Sequence, residues 1–151
     1  MNPMPELTPM LKQLRLSGIL DSLETRNRQA IVEKMAYTDF LGLILQDEIA
    51  RRSQKRLALA LRRANFRNQK TLEEFDWLFN APAIDRVQIQ ELASGEFVRR
   101  RGNLVFVGKS GVGKSHLIQS LGRRCCALGY RVRYTTSAEL LLSPAAIGTF
   151  P

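Results

Sequence analysis

Residues 108–115 read Gly-Lys-Ser-Gly-Val-Gly-Lys-Ser. Gly108, Gly113, Lys114 and Ser115 occupy the fixed positions of the pattern G-x-x-x-x-G-K-[ST], with Lys109, Ser110, Gly111 and Val112 between them. The chemistry served by that spacing is the holding of a phosphate chain. Glycines let the backbone curl tightly and approach an anion with no Cβ in the way. Successive N–H groups can then converge on one phosphate. A helix starting at the lysine adds its own unpaired N–H groups and the positive end of its dipole. Lys114 is placed to reach the β- and γ-phosphates, and Ser115 to offer its hydroxyl to a magnesium ion carried by them. These eight residues are therefore the candidate nucleotide site, with ATP or GTP and Mg2+ as the expected ligands. No catalytic residue is assigned.

His116 follows the serine directly. It has no companion cysteine or second histidine at metal-ligand spacing, so a structural or helix-surface role is expected. Cys125 and Cys126 are adjacent. They suit neither a disulfide framework nor a zinc site and read as two small helix residues, one of them buried.

The loop requires a strand before it and a helix after it. Asn103 to Val107 reads as a short, fully buried strand, and Lys114 to Leu128 as a helix stopped by Gly129. Tyr130 to Thr135 alternates in the manner of a second strand, and Thr136 with Glu139 can cap one more short helix. This order predicts the beginning of an α/β nucleotide-binding domain over residues 96–151.

Residues 1–95 read as a separate, all-helical region. A first helix is expected to start at Thr8–Pro9, with a second amphipathic turn or short helix from Ile19. A longer helix is expected from Thr38 to about Ala64, with Leu41, Leu45 and Ile49 on one stripe and Ile44 beside it. Thr71 to Glu74 is a capping box that should open a short helix carrying Phe75, Leu78 and Phe79. Phe75, Trp77 and Phe79 are expected to pack a core rather than stack on bases. Ile84 to Ser94 reads as a further helix, ended by Gly95.

The chain has 23 Lys and Arg against 14 Asp and Glu, a formal charge of +9. Residues 51–70 hold eight basic residues and no acidic one: Arg51, Arg52, Lys55, Arg56, Arg62, Arg63, Arg67 and Lys70. Such a stretch can neutralise a DNA backbone without selecting a base sequence, and it can equally be a solvated helix face. Arg99, Arg100 and Arg101 form a second cluster. With 44% hydrophobic residues the chain can build a core. Its apolar runs are far too short to cross a bilayer, so no membrane partner is expected. The first residues show no basic segment leading into an apolar one, which makes the cytoplasm the expected compartment.

Taken in order, these segments resemble the IstB family of transposition-helper ATPases, which are related to DnaC-type helicase loaders. The resemblance covers roughly residues 10 to 142. It rests on Leu11-Lys12-Gln13-Leu14-Arg15-Leu16, Phe40-Leu41, Asp47 to Arg52 and Lys70 to Trp77. It continues through the phosphate loop to Leu117, then Gly129 to Val132 and Ser137 to Leu142. It implies the first part of an AAA-type P-loop NTPase domain behind a basic helical domain. It further implies ATP and Mg2+ as cofactors, DNA and a transposase as partners, and a homo-oligomer for the full-length protein.

The match fades after about Ser143. The family's acidic magnesium- and water-activating motif, its sensor positions and its trans-acting arginine have no counterpart here. The resemblance thus predicts a C-terminally truncated member whose residues do not supply hydrolysis. The two predicted strands are not sheet neighbours in the family. Their backbone groups would then lack partners, leaving this half unstable alone or completed from outside the chain. A DnaC-like helicase loader and a non-enzymatic DNA-binding remnant stand as the alternative readings, with a small-molecule kinase more remote.

Overall fold

The computed structural model describes residues 4–78 and 84–142. The described residues form seven helices: α1 (Met4–Gln13), α2 (Ser17–Glu33), α3 (Tyr37–Ala64), α4 (Arg86–Leu92), α5 (Glu96–Arg99), α6 (Lys114–Ala127) and α7 (Ser137–Leu142). Two compact units divide the chain, Met1–Arg56 and Leu57–Pro151. Among the described residues no helix is long and apolar enough to cross a membrane.

The first unit is built from α1, α2 and the first part of α3. Ile19, Leu23 and Ile44 are its buried apolar residues, with Leu11, Leu16 and Phe40 packed around them. The stripe of Leu41, Leu45 and Ile49 faces solvent instead, and Ile44 is the residue that turns inward. Helix α1 begins before Thr8 and contains Pro9 within it. Helix α2 runs 17 residues, well beyond the short element expected, and ends where Lys34 adopts a left-handed conformation.

Gly18 sets how closely α2 and α3 can approach. A Cβ there would lie 2.7 Å from Glu48 Cα and 2.8 Å from the Asp47 carbonyl oxygen, so only glycine fits. The closeness brings the Glu48 carboxylate to the start of α2. Its Oε2 accepts from the N–H of Gly18 at 2.6 Å and of Ile19 at 3.3 Å. These are donors of the first turn, which have no partner inside the helix. Arg52 donates to the other oxygen at 2.6 Å. Arg26 grips Asp47 through two bonds of 2.8 and 2.9 Å.

The second unit packs Phe75, Ile89, Leu117 and Leu121 into a core, with Leu72, Trp77, Ile84, Leu92, Ala93 and Phe106 against it. Helix α4 starts two residues later than Ile84, behind an aspartate cap: Asp85 accepts from the N–H of Val87 and Gln88. The capping box at Thr71 forms its reciprocal bonds, Thr71 N to Glu74 at 3.2 Å and Glu74 N to Thr71 at 3.3 Å. No helix propagates from it; residues 72–78 remain a series of turns. Phe79 lies outside the described residues. Thr136 and Glu139 make the same reciprocal pair at the start of α7. Both Cys125 and Cys126 are buried in α6, and desolvation raises the pKa of each thiol.

The expected α/β architecture is not what the chain forms. Among the described residues there is no strand, and the fold is helical throughout. Asn103 to Val107 carries no ladder of backbone hydrogen bonds, and Val105 and Val107 are 80% and 90% exposed where burial was expected. Tyr130 to Thr135 does alternate inward and outward, yet among the described residues its backbone bonds to other segments are Tyr130 N to the Cys125 carbonyl, 3.0 Å, at the end of α6, and Tyr134 N to the Ala64 carbonyl, 2.7 Å. A strand exists only by virtue of a neighbour that accepts its N–H groups, and these two segments do not pair with each other. They flank a groove of about 440 Å3 whose lining includes Phe66, Phe106, Ile118, Leu121, Val132 and Tyr134.

Candidate functional site

The loop preceding α6 turns at Ser110 and Gly111 and enters the helix through Gly113. Gly111 and Gly113 have φ of +83° and +92°, a region closed to most L side chains. The first intrahelical bond is Leu117 N to the Gly113 carbonyl at 3.0 Å. Gly113 offers no side-chain cap, and among the described residues no side chain accepts from the N–H groups of Lys114, Ser115 and His116, donors that have no partner inside the helix. Gly108 to Gly111 and Ser115 are exposed; Val112, Gly113 and Lys114 are half-buried.

Lys114 folds back over the loop. Its ammonium donates to the Gly108 carbonyl at 2.9 Å and to the Lys109 carbonyl. That bridge closes the curl and places a positive charge beside the first N–H groups of α6. Positive charge, a helix N-terminus and unobstructed glycine backbone together suit a multiply charged anion. A Cβ at Gly111 would meet nothing within 4 Å, so the outer face of the curl is open. Gly108 to Gly113 form the loop, and Lys114 and Ser115 are the first two residues of α6.

Two residues outside the motif support it from behind. The Phe75 ring lies against Gly113, where a Cβ would come within 2.7 Å of Phe75 Cε2. His116 Nε2 sits 2.7 Å from the Thr71 carbonyl oxygen, and its ring meets Phe75 edge to face at 5.1 Å between centroids. The structural role expected for His116 thus has a definite partner. Gln119, one turn further along, accepts from the N–H of Asn68 at 3.1 Å and donates to the Ser115 carbonyl at 3.2 Å. The Phe75 contact had one faint signal in the sequence, the capping box that fixes the turn just before it.

The eight basic residues of 51–70 separate into two groups. Arg51 pairs with Asp21 at 3.0 Å, Arg52 with Glu48 at 2.6 Å, and Lys55 donates to Ser17 at 2.8 Å. Arg67 pairs with Glu139 at 2.9 Å, and a backbone N–H at Thr136 together with Arg67 holds that carboxyl down at about 2. Arg56, Arg62, Arg63 and Lys70 are exposed and form no ion pair among the described residues. Of the second cluster, Arg99 and Arg100 both grip Glu96 and depress its carboxyl to about 2. Among the described residues no group of three or more His, Cys, Asp and Glu could hold a metal ion.

Comparison with known proteins places this geometry in context. Residues 9–146 match the family model described as IstB-like ATP binding protein. A protein named as the ATP-binding protein of insertion sequence IS21 in Pseudomonas aeruginosa is 37% identical over 138 residues, covering 91% of this chain and 52% of that one. An insertion-sequence ATP-binding protein of Mycobacterium tuberculosis is 34% identical over 137 residues, covering 91% and 54%. One named for insertion sequence IS5376 in Geobacillus stearothermophilus is 30% identical over 129 residues, covering 85% and 51%. The chain spans about half the length of these curated relatives.

Proposed function

The chain belongs to the family of IstB-like ATP binding proteins, and from that premise we propose that Gly108 to Ser115 hold the phosphates of ATP with its magnesium ion, in a helper protein of transposition. The observation that carries the proposal is the loop itself: two left-handed glycines, an uncapped helix start and an ammonium folded over the curl. The residues present fit the ligand. Lys114 would exchange its carbonyl acceptors for phosphate oxygens, a stronger, charge-assisted pairing. The Ser115 hydroxyl is exposed and donates to no described residue, which leaves it free to ligate magnesium. When bound, the ion supplies neutralisation of charge across the β- and γ-phosphates.

Titrating Mg-ATP into the full chain by isothermal calorimetry tests this reading. The expected result is saturable binding at one site, with AMP at least about tenfold weaker because it lacks the β-phosphate that the loop would cradle. Absence of saturable heat would rule the reading out.

The same proposal assigns a polyanion-contacting role, with DNA as the partner, to Arg62, Arg63 and Lys70 in the second unit. What supports it is that these cations are exposed and form no ion pair among the described residues, whereas Arg51, Arg52 and Lys55 are occupied within the first unit. Withdrawing one cation from a DNA phosphate makes the slope of log K against log salt about 0.9 less negative. The double variant Arg62→Gln/Arg63→Gln is expected to flatten that slope by roughly 1.8, measured by fluorescence anisotropy on duplex DNA. An unchanged slope would remove these arginines from the interface. The transposase partner and assembly into a homo-oligomer belong to this reading for the whole protein.

A further inference from the structure

The turn from Thr71 to Phe75 is built as a bracket around the start of α6. One arm is the Thr71 carbonyl, which holds His116 Nε2 at 2.7 Å. The other is the Phe75 ring, which fills the space where Gly113 would carry a Cβ, at 2.7 Å to Cε2 and 3.0 Å to Cζ. The arms are joined by the reciprocal bonds between Thr71 and Glu74 and by Phe75 N to the Leu72 carbonyl at 3.4 Å. Phe75 is itself braced on both sides. His116 meets it at 5.1 Å and Trp77 edge-on at 4.8 Å, with the Arg86 guanidinium 5.3 Å from the Trp77 ring centre. The bracket therefore grips the residues on either side of Lys114 and Ser115.

We propose that Phe75 is a positioning residue for the phosphate loop, fixing the orientation of the Gly113 peptide from behind so that the loop's N–H groups converge on a β-phosphate. The inference rests on the nucleotide reading above. Its physical basis is that a left-handed glycine has broad conformational freedom unless something restrains it. Phe75 is 7% exposed and packed against the Leu117–Leu121 core, so it is a rigid restraint. Displacement of a binding group by about 1 Å is enough to lose a large part of an oriented interaction. Trp77, the only tryptophan of the chain, touches Phe75 and reports on the bracket directly.

The test compares the wild-type chain with Phe75→Leu, using calorimetry with Mg-ADP and AMP and the emission of Trp77. Wild type is expected to bind Mg-ADP with a change in Trp77 emission that saturates at the same dissociation constant. Phe75→Leu is expected to weaken Mg-ADP about tenfold and to leave AMP within about twofold, because only the β-phosphate uses the oriented N–H groups. A second variant guards against simple unfolding: Gly113→Ala both strains a left-handed backbone and drives a methyl into the ring, and adding Phe75→Leu should relieve the second of these and so recover part of the loss in Mg-ADP affinity, a coupling that independent sites do not show. If wild type binds Mg-ADP but Trp77 emission is unmoved and Phe75→Leu binds equally well, the positioning role is overturned while the nucleotide reading stands. If wild type binds no nucleotide, both fall together.

Discussion

Lys114→Ala will weaken Mg-ATP binding by about 3 kcal/mol, roughly 150-fold, with the helix behind it intact. The ammonium now donates to the carbonyls of Gly108 and Lys109, and a phosphate arriving at the loop offers better acceptors at the same place. Hydrogen bonds that involve a charged partner contribute about 1.5–3 kcal/mol each, and Lys114 can make two such bonds across neighbouring phosphates. Lys114→Arg should not restore affinity. A guanidinium is a planar fork that cannot replace a compact ammonium under a tight curl. Lys109→Ala is the matched control. It removes the same charge from an exposed position of the same loop and should cost less than about threefold, because an exposed, screened charge contributes little. Calorimetry on the three variants, with circular dichroism to confirm retained helix, decides the matter. Equal losses for Lys109→Ala and Lys114→Ala would mean that only net charge attracts the nucleotide.

The pattern of Gly108, Gly113, Lys114 and Ser115 is legible in the sequence because it fixes residue type at four positions and needs nothing distant. Helix α6 follows for the same reason, since Gly113 and Gly129 mark its ends locally and both adopt left-handed φ. The segment Leu104 to Val107 shows where such legibility stops. Four apolar residues in a row suit a buried strand, but pairing depends on a second segment and is not encoded in those four. Here Phe106 reaches the core while Val105 and Val107 face solvent.

Charge counting has a comparable limit. Arg51, Arg52, Arg56 and Arg62 look alike in sequence. Arg51 is occupied because the packing of α2 on α3 carries Asp21 to it, and Arg52 because Glu48 lies one turn earlier on its own helix. The bracket behind the loop is likewise non-local, since Thr71 and His116 are 45 positions apart. Apolar stripes mislead in the opposite direction: Leu41, Leu45 and Ile49 have the right spacing, and Glu48 is buried beside Ile44 in their stead.

That buried carboxylate predicts the largest stability effect in the first unit. Glu48 is 4% exposed, and both of its oxygens are engaged. Glu48→Ala would strand the N–H groups of Gly18 and Ile19 at a helix start and release Arg52, whose side chain is 56% exposed and can turn to water. Loss of a helix cap costs about 1 kcal/mol and each unsatisfied buried donor about 1–3. The expected cost is therefore about 3 kcal/mol in the unfolding of this unit by urea. Glu48→Gln keeps an acceptor oxygen for Gly18 and should recover roughly half of it.

Acid should act through the same contacts. Burial pushes the Glu48 carboxyl upward, but bonds from Arg52, Gly18 and Ile19 outweigh it and leave it below the ordinary value. Arg26, with Ser22, lowers Asp47 to about 2. Both folded values lie below the unfolded ones, so the stabilisation is complete above about pH 4.5 and is lost as pH falls toward 2. Urea midpoints of the wild type should drop across that interval, and those of Glu48→Gln should drop less, because one of the two linked groups is gone. A Glu48→Ala chain as stable as wild type, with an unaltered acid response, would show that the cap at Gly18 contributes nothing to the unit.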